Sequence, residues 1–430
     1  MRARSGLVVL VAFVLAAAVA CAPSTASRSG APAAPPSAAG QHAVRMPVTP
    51  AAAQASPERL RAQFEQLLGQ HTLIAVRLMR SVVAAAPDRQ AAIASLQDNT
   101  DALSRLVASA YGSAQADRFT QLWQRHIADL LAYANGVASN NASAKQTARD
   151  GLLAYCDAYG AWFAQASKGR VRAGDAVSGV RLHVEDLMTQ LDAYAARDYD
   201  RAYRIEREAY EHMFTAGATL AKASVTPELA VGLDAPPAKL RSAFAMLLGE
   251  HMELIVDAQR ATFAGSPEFK AAAAQVNANT TALTQALAAI VGPRKAAEFQ
   301  AAWADHVDGL IAYTAAVAGN DQAGKAAAQK QLENFAISLA VYFSGIVRDQ
   351  RTFIPLTAAI TMHDTHLTNQ ADAYGAKDYG KAQQLELDGY RQMLGVANTL
   401  VDAIQRTVRP GLPVGSAQTG GGGTAAHCTR

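Results

Sequence analysis

The chain has 430 residues, 50% of them hydrophobic and 17% charged, which is enough for two or three domains that each bury a core and excludes an intrinsically disordered protein. Lys and Arg total 39 against 36 Asp and Glu, a net charge of +3, so the strongly basic surface of a nucleic-acid binder is excluded. Three cysteines, Cys21, Cys156 and Cys428, are too few and too scattered for a disulfide framework or a cysteine zinc site.

In chain order, Arg2 and Arg4 precede the apolar run Leu7 to Ala20, the basic start and short hydrophobic stretch of a secretory signal over residues 1–20. Fourteen apolar residues are short for a permanent membrane span. The run ends Ala18-Val19-Ala20-Cys21, which resembles a bacterial lipobox, with Ala18 where Leu is usual. Cleavage before Cys21 and its acylation with palmitate-type chains would anchor the protein to the cell membrane, on its extracytoplasmic face. An ordinary signal with an incidental cysteine is the alternative. Residues 21–56, rich in Ala, Pro and Ser, cannot bury enough surface to offset chain entropy and read as a disordered tether. Residues 403–430, with Gly420 to Gly423, read as a disordered tail.

Between these ends one unit is written twice. Residues 57–222 align with 237–402 at a constant offset of 180, with identity at about 50 of 166 positions. LRAQFEQLLGQH at Leu60 matches LRSAFAMLLGEH at Leu240, and FTQLWQRHIADLLAY at Phe119 matches FQAAWADHVDGLIAY at Phe299. A period of 180 is a duplicated domain rather than a solenoid repeat, with 223–236 as the linker. Apolar residues recur at three and four, as in Phe64, Leu67, Leu68 and His71, the spacing of amphipathic helices. Ser56-Pro57-Glu58 and Ser266-Pro267-Glu268 are helix starts, and Asp198 and Asp378 read as caps of the last helix in each unit. The expectation is all-α: two tandem antiparallel bundles of about six helices, in the first unit near 57–85, 89–111, 115–139, 143–166, 173–196 and 199–222.

Eight of the ten histidines fall in the two units, and three pair at the offset: His71 with His251, His126 with His306, His183 with His363. Each lies on an apolar face, since Leu67 and Leu68 are four and three before His71, Trp123 three before His126, and Leu187 four after His183. His71, His126, His183 and His212 each sit near the middle of a helix. In an antiparallel bundle, mid-helix residues share a layer, so the four could converge. Asn99 and its counterpart Asn279 are placed to join as supporting groups. In the second unit Gln392 replaces His212, leaving His251, His306 and His363, with His366 as a substitute that aligns with Asp186.

Such a layer reads in two ways. Imidazoles are common ligands of zinc and copper, and facing histidines hold haem iron, so the layer is a candidate site for a transition metal or b-type haem. Alternatively the histidines are structural, with both ring nitrogens bonded to neighbours such as Tyr133, Tyr194 and Tyr210, in a scaffold or interaction protein. Trp123 and Trp303 are placed to pack against a cofactor or to serve as plain core, and Cys156 reads as a buried free thiol. The Glu-x-x-His pairs of di-iron bundles, the C-x-x-C-H of haem c, and H-E-x-x-H, G-x-S-x-G and Walker motifs are all missing from the sequence. No catalytic residue or substrate is nominated, so binding is expected rather than catalysis.

The segments LLGQH and LLGEH, the Trp123/His126 and Trp303/His306 pairs, and the DAY…DY pattern at Asp192 to Tyr199 and Asp372 to Tyr379 resemble a helical domain of secreted bacterial proteins, over 57–222 and 237–402. Some proteins of that kind carry the label copper amine oxidase. The T-x-x-N-Y-[DE] segment from which such oxidases make their quinone is missing from this sequence, so the resemblance implies the bundle and the secreted setting, and not amine oxidation.

Overall fold

Thirteen helices and no strand occur among the described residues, 56–347 and 353–407 of a computed structural model. The first bundle is α1 (Pro57–Val83), α2 (Arg89–Tyr111), α3 (Ser113–Ala138), α4 (Ala142–Ala166), α5 (Ala173–Ala195) and α6 (Tyr199–Ser224). After the short α7 (Pro227–Leu233), the second bundle repeats the order as α8 (Pro236–Ala264), α9 (Phe269–Val291), α10 (Pro293–Ala318), α11 (Gln322–Val347), α12 (Phe353–Gly375) and α13 (Tyr379–Thr407). The all-α expectation holds. Cys21, the signal and the tether lie outside the described residues, and no described helix is long and apolar enough to cross a membrane.

The helix ends follow from local chemistry. Ser56 Oγ accepts the Arg59 amide at the start of α1, where Pro57 sits in the first turn and has no amide hydrogen to leave unsatisfied. Asn141 caps α4, Asp198 caps α6 and Asp378 caps α13 in the same way. Three boundaries depart from expectation. Residues 223–236 contain α7 as well as the end of α6, and α13 continues five residues past 402 into the expected tail. Ser266 and Pro267 precede α9 rather than opening it, since its first residue is Phe269.

The two bundles pack on each other as a two-fold-like pair. α6 meets α8 and α9, and reciprocally α13 meets α1 and α2. Tyr210 and Tyr390, one residue type at the 180 offset, share a hydroxyl hydrogen bond of 2.9 Å across that boundary. Gly69 and Gly249 make room for the pair: a Cβ at Gly69 would lie 2.7 to 2.8 Å from Phe214, Tyr390 and Tyr210, and one at Gly249 would lie 2.6 Å from the Tyr210 hydroxyl. The glycine in LLGQH and LLGEH is therefore a close-approach position.

Buried charges lie along the same boundary. Arg77 pairs with Glu253 at 3.0 Å, Asp257 at 3.3 Å and also Glu386, while Arg80 pairs with Glu206 at 2.8 Å and Arg260 with Asp88 at 2.9 Å. Positions 77 and 257 correspond between the copies, and equal charges there would repel; the Arg and Asp present attract. α1 is consequently buried on nearly every side, and a helix with this many charged residues is held by the second bundle as well as its own.

Candidate metal centre

Three helices of each bundle carry the histidines inward. In the first, α1 supplies His71, α3 His126 and α5 His183; in the second, α8 supplies His251, α10 His306 and α12 His363. Helices of 23 to 29 residues bring their midpoints to one height. Core neighbours one turn away, Leu68, Trp123 and Leu187 in the first bundle, keep each ring on the buried face. All six side chains are at most 2% exposed.

Within each triad the candidate ligand nitrogens lie within 4.8 Å of one another. Ring centres are 5.7, 5.8 and 6.1 Å apart in the first triad and 5.6, 5.4 and 5.5 Å apart in the second. Three imidazoles bound to one ion at about 2.0–2.1 Å have ring centres roughly 5–5.5 Å apart. The second triad matches that spacing directly, and the first needs a contraction of a few tenths of an ångström. Two axial imidazoles on a haem face each other across the iron, whereas the three rings of each triad converge on one point, which suits a bare ion.

None of the twelve ring nitrogens makes a hydrogen bond among the described residues, and only His306 Nδ1 has a charged-type partner close by, Asp364 Oδ1 at 3.3 Å. The tyrosines expected to satisfy them are engaged elsewhere: Tyr133 donates to Asp192 at 3.0 Å, Tyr210 is paired with Tyr390, and Tyr194 packs on Tyr199 and Arg80. Burial, reinforced by the neighbouring rings, pushes His71, His126, His306 and His363 well below the usual imidazole range, and burial holds His183 and His251 down to about 3. The rings are neutral at pH 7, the form in which imidazole binds metals.

The aromatic walls also pair between the bundles. Trp123 lies 4.4 Å from His71 and Trp303 4.8 Å from His251, centre to centre. Tyr155 stacks on His126 at 4.5 Å and Phe335 on His306 at 4.2 Å. These contacts fix the ring planes without using a ring nitrogen.

Five residues singled out from sequence stand apart from the triads. His212 does sit at mid-helix, but its side chain is 34% exposed and its Nδ1 is 2.8 Å from Asp186 Oδ2. The core face of α6 at that level belongs to Met213 and Tyr210, and one residue along a helix is a rotation of 100°. Gln392 correspondingly donates to the Ala359 carbonyl at 2.8 Å. Asn99 donates to the Leu67 carbonyl and to Gln70, and Asn279 to the Leu247 carbonyl and to Glu250, so both tie the second helix of their bundle to the first. His366 bonds through Nδ1 to the Met362 carbonyl and lies on the exposed side of α12.

One residue that sequence reasoning missed is Asp364. It is buried, its Oδ1 is 3.3 Å from His306 Nδ1, and neither carboxyl oxygen has a hydrogen-bond partner. Burial pushes its carboxyl well above the usual carboxylate range. The signal was legible: His183-Val184 in the first copy becomes His363-Asp364 in the second, an acid substituted on an apolar face.

No family model matches the chain, and neither a curated protein nor a solved structure does. The functional reading therefore rests on the triads themselves.

Proposed function

We propose that this is an extracytoplasmic, lipid-anchored protein that binds two transition-metal ions, zinc or copper, one on each histidine triad. The observation that carries the reading is the set of twelve buried ring nitrogens, none hydrogen-bonded and eleven without any polar side chain paired to them. Leaving a buried polar group unsatisfied costs about 1–3 kcal/mol, and a structural polar layer would be expected to satisfy its members. An ion held by three neutral imidazoles accounts for one nitrogen of each ring at once. Three nitrogen ligands with a fourth position left for another donor is a common arrangement for zinc, and imidazole suits copper equally. The anchor rests on the lipobox-like Ala18 to Cys21. The convergence of three rings on one point favours a bare ion over haem.

The test compares His126→Ala with wild type after loading with zinc and dialysis. Loss of one of two equivalents, with helicity retained, supports the reading. Equal metal content in the two proteins, with the substitution lowering only the melting temperature, would make the histidines a polar core.

A further inference from the structure

We propose that the first bundle carries a small-molecule site: an apolar cavity with His183 in its wall, suited to an aromatic molecule that presents one nitrogen or oxygen donor to the ion on the first triad. This rests on the metal reading above and goes beyond it by assigning a ligand class to one triad and denying it to the other.

The cavity measures about 320 Å³ and runs from the seam between α5 and α6 inward to His183, Trp123 and Tyr155. Its wall is aromatic at depth, with Phe64, Phe119 and Phe163 alongside those three residues. Toward solvent the wall is made of small or exposed groups: a Cβ on Gly179 would meet nothing within 4 Å, and Leu182 is 44% exposed. The corresponding space in the second bundle measures about 40 Å³.

Four lining positions follow the difference in volume, while two, Tyr155 and Tyr159 against Phe335 and Leu339, run the other way. Where the first bundle has Val107, Ala176, Val180 and Ala216, the second has Leu287, Leu356, Ile360 and Val396, and all eight line their respective spaces. Each exchange adds at least one methyl or methylene group to the second bundle. A close-packed interior fills such space by default, so the volume in the first bundle results from smaller side chains at these positions. The second triad has Asp364 beside His306; the first has Val184 at that position and the cavity at His183. One triad thus has a protein carboxyl beside one of its rings, and the other has room for a donor from outside. The wall is apolar and largely aromatic at depth, where His183 is the one fully buried imidazole, with half-buried His212 and exposed Asp175, Thr215 and Thr219 toward solvent; it matches a flat hydrophobic ligand with a polar end.

The experiment uses the full chain carrying His306→Ala, so that cobalt(II) reports on the first triad alone, and compares 4-phenylimidazole with imidazole by the visible ligand-field spectrum. The expected result is a spectral change with both, with the phenyl compound binding about tenfold tighter or more because its ring is buried. Ala176→Leu with Ala216→Val, groups that the second bundle already accommodates, should retain cobalt and lose that preference. The His126→Ala chain, cobalt bound only at the second triad, should not respond. Cobalt retained with equal affinity for the two compounds, or with the preference surviving in the filled variant, would overturn the cavity assignment alone. Failure of the His306→Ala chain to retain cobalt would overturn the metal reading together with it.

Discussion

In the first bundle the residue after the third histidine is Val184 and the seam beside it is open; in the second it is Asp364 and the seam is filled. The imidazoles themselves are arranged alike, with ring centres between 5.4 and 6.1 Å in both. Duplication therefore kept the donor set and changed what surrounds it. This separates two properties that are often merged: the donors decide whether an ion binds, while their neighbours decide how tightly it is held and what else reaches it.

The largest effect that probes both triads together is pH. In the metal-free protein the six rings are neutral because burial lowers their affinity for protons. The folded state thus binds fewer protons than the unfolded one, whose imidazoles titrate near 6.5. Stability should be fully present above pH 6.5 and fall as pH drops, by up to about 1.4 kcal/mol per pH unit for each ring, with His183 and His251 continuing to contribute down to about pH 3. Denaturant melts between pH 7.5 and 5 measure this; a flat profile would mean that the rings are hydrogen-bonded or hydrated in solution.

Asp364→Asn separates the two sites. A carboxyl beside a ligating imidazole orients it and raises its basicity, and loss of such a partner typically lowers metal affinity about 10–100-fold. That loss should appear at the second site and leave the first unchanged in a competition titration with a chelator. An equal change at both sites would break the comparison.

Gly69→Ala tests the boundary between the bundles. Its Cβ would press on three aromatic side chains at 2.7 to 2.8 Å, a crowding that costs about 1–3 kcal/mol, with lower melting temperature and metal content unchanged. Unaltered melting would mean that the Tyr210–Tyr390 pair moves aside without cost. The smallest effect is expected from His212→Gln, which copies Gln392 of the second bundle; both metal equivalents should remain, because His212 bonds to Asp186 outside the triad.

Much of this architecture is legible in the sequence, for reasons that also mark where legibility stops. Caps and the 180 offset locate the helices, because a side chain that bonds the first free amides declares a helix start by itself. Thr226-Pro227-Glu228 carries the same start pattern as Ser56-Pro57-Glu58, yet α7 reads as linker because seven residues show no periodicity. Height in the bundle follows from helix length, which brought out His71, His126 and His183 together. Azimuth does not, and His212 fell at the right height on the wrong side. Arg77, Arg80 and Glu206 carry no sign of burial in the sequence; Arg77 is buried against Glu253, Asp257 and Glu386 of the second bundle, and Arg80 and Glu206 against each other. Gly69 announces a close approach without naming Tyr210 and Tyr390 as its cause.

The most direct test of the central claim is elemental analysis by mass spectrometry of the full chain, purified without chelators, loaded with zinc or copper and dialysed. Two equivalents per chain are predicted, falling to one in either His126→Ala or His306→Ala. A chain that retains no metal under these conditions would contradict the account and leave the six histidines as core residues.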